Sequence, residues 1–435
     1  MSKWIHTTLK DVCLKEKGSI ISGPFGSNIS SKFFVKEGVP VIRGNNLSLS
    51  LDKFYDDGFV FVTKEKAEEL NCYAQKGDLL FTAAGTIGQV GILESPLKYE
   101  KYVISNKQLR ARIDTTKVSL LYAYYWFASS WMQDYFIRNN KGSTVPLITL
   151  TELKDAPISY PEDLSVQRKI VENIESISCK IDINRNICSE LESMAKTLYD
   201  YWFTQFDFPN EEGKPYRSSG GAMEWNEQLK REIPKGWETD NIQNTCSVID
   251  CLHSQKPEQL YVAENYYLLQ LENLVDLGLI DLHSKYYVSK DMYELWTSRI
   301  QLEDGDLVVT NAGRVGAVSR IPQHVIAGIG RNMKAIRPNT VPPFFLYYFF
   351  KSPDFSVQMR ANTDSGAFFG SLNVRGIKQL LLTVPPANSD ILKRFDSIVE
   401  PMRRKIESLQ LENEELTKLR DWLLPMLMNG QATVE

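Results

Sequence analysis

Two long stretches of the chain place apolar residues at helical spacing. Ile170, Ile174, Ile177, Ile181, Asn184, Cys188, Leu191, Ala195, Leu198 and Trp202 alternate four- and three-residue steps. At an offset of 225 the pattern returns as Phe395, Val399, Met402, Ile406, Leu409, Asn413, Leu416, Arg420, Leu423 and Leu427. Such a seam, kept over more than four heptads in each copy, marks a coiled-coil helix. The first copy predicts a helix over about 167–204, roughly 57 Å long at 1.5 Å per residue. Ahead of each helix the pattern shortens. Residues 39–42, 58–63, 78–82 and 108–113 are β-branched and aromatic runs between Gly, Asn, Asp and Pro, and read as strands. LYAYYWF (121–127) and FLYYFF (345–350) are apolar on every side and read as buried helices.

The order strands, aromatic helix, long helix therefore occurs twice, and the identities agree. GDLLFTAAGTIGQV (77–90) and GDLVVTNAGRVGAV (305–318) share eight of fourteen positions without a gap. Trp4 and Cys13 match Trp237 and Cys246, and Asn46-Leu47 matches Asn273-Leu274. Units of this length are too long for a solenoid repeat and indicate a duplicated domain. Two long helices in one chain pack most simply against each other, antiparallel. Toward the end of each helix the stripe widens, adding Ile187, Met194 and Tyr201 in one and Leu419 and Met426 in the other. One neighbour does not cover so wide a face, so helices of a partner protein are expected to complete a bundle there.

At 435 residues, 43% hydrophobic and 24% charged, the chain is an ordinary globular sequence of two or three domains. No apolar run reaches the length of a membrane span, and MSKWIHTTLKD has no apolar stretch after its basic residue, so neither a membrane nor a secretory route is expected. The six cysteines (Cys13, Cys72, Cys179, Cys188, Cys246, Cys251) read as reduced thiols of a cytoplasmic protein. The net charge of −4 hides a division. Residues 1–150 carry +5 (19 Lys and Arg against 14 Asp and Glu), residues 151–215 carry −6, residues 216–380 carry −1 and residues 381–435 carry −2. Phosphate binding depends on local cationic surface, so the first globular part is the better nucleic-acid candidate.

Catalytic signatures are missing. Lys141-Gly142-Ser143-Thr144 lacks the upstream glycine of a phosphate loop, and Gly328-x-Gly330 lacks the third glycine of a dinucleotide fingerprint. Cys246, Cys251 and His253 lack a fourth ligand at zinc spacing, so no metal is expected. Thr383-Val384-Pro385-Pro386 has neither the amide or carboxylate nor the aromatic of an amino-methyltransferase motif. The chain reads as a binder and not as an enzyme.

YDYWFTQFDFPNEEGKPYRSSGGAMEWNEQLKREIPKGWE (199–238) closely resembles the central region of the specificity subunits of type I restriction–modification enzymes. GPFGSNI (23–29), VIRGNNL (41–47), both GDL–AG–G blocks and SVQRKIVENI (165–174) are similar to that family too, so the resemblance covers essentially the whole chain. It implies α/β (α+β) recognition domains, duplicated, joined by two long antiparallel coiled-coil helices. Each recognition domain would read half of a split DNA sequence, the two standing about one duplex turn, roughly 34 Å, apart. The helices would dock two methyltransferase subunits that carry S-adenosylmethionine and receive a flipped-out adenine. Motor-nuclease subunits would supply ATP hydrolysis and cleavage, and this chain itself would hold no cofactor. The implied domains are recognition domain 1 (1–150), spacer helix 1 (151–210), a linker (211–236), recognition domain 2 (237–380) and spacer helix 2 (381–435). The alternative is a coiled-coil scaffold whose duplicated domains bind protein.

Base edges and phosphates call for Arg, Lys, Asn, Gln and hydroxyl side chains on loops where the backbone approaches closely. In the first domain Ser27, Asn28, Lys32, Arg43, Asn45, Thr86, Lys107, Ser143 and Thr144 meet this condition. In the second, Arg314 replaces Thr86 in the shared turn, joined by Arg331, Asn332, Lys334, Phe368, Phe369 and Ser371. Asp78 and Asp306, although repeated, are expected to organise a turn and not to touch DNA.

Overall fold

A computed structural model of the chain describes residues 3–142, 144–252, 256–311, 313–361 and 374–432. Two compact units emerge. One comprises Met1–Ile181 with Glu414–Glu435, the other Asp182–Asn413.

The first unit is built on two four-stranded sheets. One is antiparallel, in the order Ile20–Ser22, Gln108–Arg112, Asp78–Thr82, Val90–Ile92. The other runs Val60–Val62, Val39–Ile42, Lys101–Ile104, Tyr73–Gln75, with one parallel pairing between Val39–Ile42 and Lys101–Ile104. Every residue of Asp78–Thr82 is buried, as an unalternating apolar strand covered on both faces requires. The aromatic helix Leu120–Ala128 is buried from Tyr122 onward. It shares a core with Ile170, Val171 and Ile174 of the first long helix (Leu164–Tyr199) and with Leu424, Leu427 and Met428 of the second (Ile391–Met428).

The second unit repeats this plan with other residues. Its antiparallel sheet runs Cys246–Asp250, Met333–Pro338, Leu307–Thr310, Val318–Arg320. Its second sheet keeps three strands, Tyr286–Tyr287, Tyr267–Leu269 and Gly328–Ile329, again with one parallel pairing. The helix Pro343–Phe349 takes the place of Leu120–Ala128. The duplication seen as fourteen aligned letters is therefore a duplication of strand order.

Within the second unit the two long helices pair antiparallel, since contacts descend one helix as they ascend the other. Asn184 donates to Asn413 at 2.9 Å and to Glu412 at 3.1 Å. Cys188 shares a small core with Ile406 and Leu409, and Tyr199 packs edge-on against Phe395, 5.8 Å between centroids. The two seam asparagines thus meet each other. A polar pair on an apolar seam, with Asn184 fully buried, favours this register, because a shifted one leaves the Asn184 amide buried without these partners. Most seam positions are buried; Ile177, Leu191 and Leu198 on the first helix and Met402, Asn413, Leu416 and Leu423 on the second are half-buried.

Residues 199–238, the most family-specific stretch of the sequence, fold as an aromatic knot that roots the first long helix in the second unit. Phe203 lies 4.9 Å from Phe345 and 5.1 Å from Phe395. Phe208 is stacked between Tyr216 at 4.7 Å and Trp237 at 5.1 Å. The carboxylate of Asp207 accepts bonds from the backbone and hydroxyl of Ser218 at 2.7 and 2.6 Å. Among the described residues no helix is long and apolar enough to cross a membrane.

Candidate nucleic-acid interface

An open cleft of about 600 Å³ in the first unit lies where three loops meet. The first is the short turn Gly44–Asn46, which follows Val39–Ile42. Its geometry comes from Asn46, which is fully buried. Asn46 Oδ1 accepts from the Arg43 amide at 2.9 Å, and its amide group donates to the carbonyls of Tyr55 and Asp57 at 2.9 and 2.8 Å. The second is the Ala84–Gly88 turn, where Gly85 and Gly88 adopt φ of 96° and 92° that a side chain disfavours. The third is the tight connection at Asn106 and Lys107. Gln89 braces the first two, donating to the carbonyls of Gly44 at 3.2 Å and Leu47 at 3.0 Å while its own carbonyl accepts from Thr82 at 2.8 Å.

Arg43, Asn45, Thr86 and Lys107 line this cleft together, as do Gln89, Asn106 and Gln108. Thr86, Asn45, Asn106 and Lys107 are exposed. Arg43 is half-buried and donates to the Gly58 carbonyl at 3.1 Å. Ser27 and Asn28 are exposed on the neighbouring Gly26–Asn28 turn, which abuts the cleft wall because Gly26 approaches the Asn106 side chain closely. Thr144 is exposed on a loop tied to the Gly85 turn by a 3.0 Å bond from the Gly85 amide to the Pro146 carbonyl. Lys32 is exposed outside the cleft lining, its ammonium 4.8 Å above the Phe33 ring. Ser143 lies outside the described residues. The surface thus offers two cations and several amides able both to donate and to accept, a set suited to base edges and phosphates.

Asp78 stands beneath the cleft as a structural residue. It accepts from the Gln75 amide at 2.9 Å and from Arg112 at 3.0 Å, and Arg110 lies 3.5 Å away. Burial pushes its carboxyl upward against the pull of Arg110 and Arg112. Asp306 repeats the role, accepting from the Glu303 amide at 3.0 Å and from Arg337 at 2.8 Å.

The second unit rebuilds the same frame. Asn273 is buried like Asn46, accepts from the Gln270 amide at 2.7 Å, and donates to the carbonyls of Asp281 and Ser284 at 2.8 and 2.7 Å. Gly313 and Gly316 keep the positive φ of their counterparts. The outward residues differ: Gln270, Leu271 and Glu272 stand where Arg43, Gly44 and Asn45 do. Arg314 is exposed, with its guanidinium on the Leu274 carbonyl and 3.7 Å from Asp276. Arg331 and Asn332 are exposed on the turn before Met333–Pro338. Lys334 does not join them. It is 3% exposed and its ammonium pairs with Asp250 on the adjoining strand, so the sheet and not a ligand satisfies it. Phe368, Phe369 and Ser371 lie outside the described residues. Sequence reasoning missed Gln89, Asn106 and Gln108. Of these only Gln89 carried a signal, since it lies within the repeated block, between the shared Gly88 and Val90.

The long helices expose apolar side chains away from their seam. In the second unit Ile187, Met194 and Tyr201 are 38%, 54% and 36% exposed, and Ile183, which the stripe did not include, is 54% exposed. In the first unit Leu419 is exposed and Met426 half-buried, with Trp422 between them 58% exposed.

Comparison with known proteins agrees with this picture. The protein-family model described as type I restriction modification DNA specificity domain matches residues 1–193. The type I restriction enzyme MjaIX specificity subunit of Methanocaldococcus jannaschii is 26% identical over 83% of this chain and 78% of its own length. The HindI specificity subunit of Haemophilus influenzae is 22% identical over 82% of this chain and 87% of its own. The crystal structure of the type I restriction–modification S subunit from M. genitalium shares the fold, with a TM-score of 0.52, 14% identity, and coverage of 98% of this chain and 96% of that one. Residues 1–193 thus match a type I restriction modification DNA specificity domain, and over most of its length the chain is similar to type I specificity subunits.

Proposed function

We propose that the two recognition domains, residues 1–150 and 237–380, each read one half of a bipartite duplex sequence. Residues 151–210 and 381–435 serve as spacer helices, and 211–236 joins the halves. The observation that carries this reading is the conserved frame with changed outward residues. Asn46 and Asn273 hold the same turn by the same bonds, while Arg43-Gly44-Asn45 becomes Gln270-Leu271-Glu272 and Thr86 becomes Arg314. A frame kept constant under a changed reading edge is what two readers of different half-sites need. In the first domain Arg43, Asn45, Thr86, Asn106 and Lys107 face the DNA, flanked by Ser27, Asn28, Lys32, Ser143 and Thr144. In the second, Arg314, Arg331 and Asn332 do so, with Phe368, Phe369 and Ser371 assigned from sequence alone.

Two methyltransferase subunits dock on the exposed apolar stripes, Ile187, Met194 and Tyr201 on one side and Leu419, Trp422 and Met426 on the other. A partner helix buries such a stripe against its own apolar face. Those subunits bring S-adenosylmethionine and methylate a flipped-out adenine, and motor-nuclease subunits join the assembly for cleavage. Methylome sequencing of cells expressing this chain with its methyltransferase tests the reading. The expected motif is split by a fixed unspecified spacer, and replacing residues 1–150 by those of a relative changes one half only. An unsplit motif, or a motif unmoved by the exchange, contradicts it.

A further inference from the structure

The connection between the first strand of the antiparallel sheet and the next carries an anomaly in both units. In the first unit Phe25 is 85% exposed, and in the corresponding connection of the second Tyr261 and Val262 are 91% and 72% exposed. One exposed apolar side chain needs no explanation, but an exposed aromatic in the same connection of both units, next to the candidate cleft in the first, suits stacking on a base. The loop bearing Phe25 is firmly anchored. The Gly23 amide donates to the Gln108 carbonyl at 2.9 Å, and a Cβ on Gly23 would sit 1.8 Å from the Ser105 carbonyl oxygen. Pro24 restricts the next step, the Asn28 amide closes onto the Phe25 carbonyl at 2.8 Å, and Ile29 is buried in the core. The ring is therefore presented by a fixed backbone, one residue from Gly26, which touches Asn106 in the cleft wall.

We propose that Phe25 is a stacking wedge: when duplex DNA occupies the cleft, the ring enters a base step beside the first half-site, unstacking it and bending the duplex. The inference rests on the reading of the cleft as a DNA site. Arg43 and Lys107 line the cleft whose Asn106 wall adjoins Gly26, the residue after Phe25. Cations beside an apolar wedge are how minor-groove proteins couple phosphate attraction to a wedged step, and a deformable step adds specificity at positions that no polar side chain contacts. By the duplication, Tyr261 is assigned the same part beside the second half-site. A protein partner covering Phe25 is the competing occupant, and the cations and amides lining the adjoining cleft favour DNA over it.

The test uses the complex assembled with its methyltransferase and a duplex bearing the motif found by methylome sequencing. 2-Aminopurine is placed in turn at each position of the first half-site and its flanks except the methylated adenine. The expected result is a fluorescence rise at one step, lost with Phe25→Ala and partly kept with Phe25→Leu. Phe25→Ala also weakens motif binding about ten- to a hundredfold, the loss expected of one base–aromatic stack. Binding to a duplex without the motif and the unfolding temperature are unchanged. Lys107→Ala is the reference. If it weakens DNA binding while Phe25→Ala leaves affinity and fluorescence as in the wild type, the wedge is refuted and the cleft stands. If neither variant alters DNA binding, the cleft reading and the wedge fall together. Weaker assembly of Phe25→Ala with the methyltransferase in the absence of DNA assigns the residue to a protein contact and overturns the proposal.

Discussion

In the first unit the side chain of Gln89 spans from the Gly-rich turn to the Leu47 carbonyl, whereas in the second unit residue 317 is alanine and Arg314 reaches the matching Leu274 carbonyl instead. The tyrosine pairs diverge in the same manner. Tyr125 bonds to Glu175, which is 21% exposed and also held by Lys53 at 2.8 Å. Tyr348 bonds at 2.8 Å to Glu192, which lies against Arg403 at 2.5 Å and also contacts Lys351. A duplicated fold thus keeps its backbone geometry while the side chains that enforce it are replaced. At this tyrosine pair the replacements are unequal in cost, because the second unit buries Glu192 and Arg403 whereas the first leaves Glu175 and Lys53 nearer water.

That difference sets the largest expected effect. Burial disfavours the Glu192 carboxylate, yet Arg403 and Lys351 outweigh it and hold the carboxyl below its usual range. Among the described residues Arg403, at 1% side-chain exposure, donates otherwise only to the Leu277 carbonyl at 2.8 Å. Glu192→Ala leaves that guanidinium buried and uncompensated, at a cost of about 3–5 kcal/mol, whereas Glu192→Ala with Arg403→Met recovers most of it. Glu175→Ala, in the more open counterpart, costs about 1 kcal/mol. Urea denaturation of the four proteins measures both costs, and equal losses for the two glutamates would remove the distinction drawn between the units.

The aromatic helices are capped differently as well. At the first, the Ser119 amide donates to the neutral Gln167 side chain at 2.7 Å. At the second, the amides of Phe344 and Phe345 donate to the Asp396 carboxylate at 3.3 and 2.9 Å. Burial pushes Asp396 up to about 7, although both amides favour its charged form. A carboxyl whose folded value is raised takes up protons on folding, so its stabilisation is complete below the usual value near 4 and is lost as pH rises through about 7. Between pH 5 and 8 the second unit should lose on the order of 3 kcal/mol from this group. Asp396→Asn should flatten that slope, read from urea midpoints across the range. A slope unchanged in Asp396→Asn would assign it to other groups.

What the sequence made legible follows from which physical signals are periodic or repeated. The seam was readable because burial on one face of a helix imposes a fixed step, and Asn184 and Asn413 were found on it before their contact was known. The frame was readable because Asp78, Gly85 and Gly88 recur as Asp306, Gly313 and Gly316, each required by a turn or a buried bond. Glu192 and Arg403 were invisible for the opposite reason. They flank the seam, where charges usually face water, and only the docking of the aromatic helix buries them. Lys334 looked like a free cation because strand pairing with Asp250 joins residues distant in sequence. The amides of the cleft escaped notice for want of any local constraint. Asn106 and Gln108 become neighbours of Gln89 only when separate strands assemble.

The smallest effect contrasts the first tyrosines of the two pairs. Tyr347 donates to the Leu277 carbonyl at 2.9 Å and accepts from Lys351 at 3.0 Å, so Tyr347→Phe should cost about 1–2 kcal/mol, leaving those groups short of a partner. The Tyr124 hydroxyl is equally buried but has no hydrogen-bond partner among the described residues. Burial drives its ionisation far above the ordinary tyrosine range, and the charges of Asp52, Arg420 and Glu175 lie near it with mixed sign. A buried hydroxyl without a partner has already lost its bonds to water, so Tyr124→Phe removes a desolvated group and should be neutral or stabilising by up to about 1 kcal/mol. The two substitutions delete the same atom from matched positions, so their difference in urea midpoint isolates what the surrounding charges contribute. A destabilised Tyr124→Phe would mean that Arg420 or Asp52 reaches the hydroxyl in solution. The first unit would then hold a working counterpart of the Glu192 network.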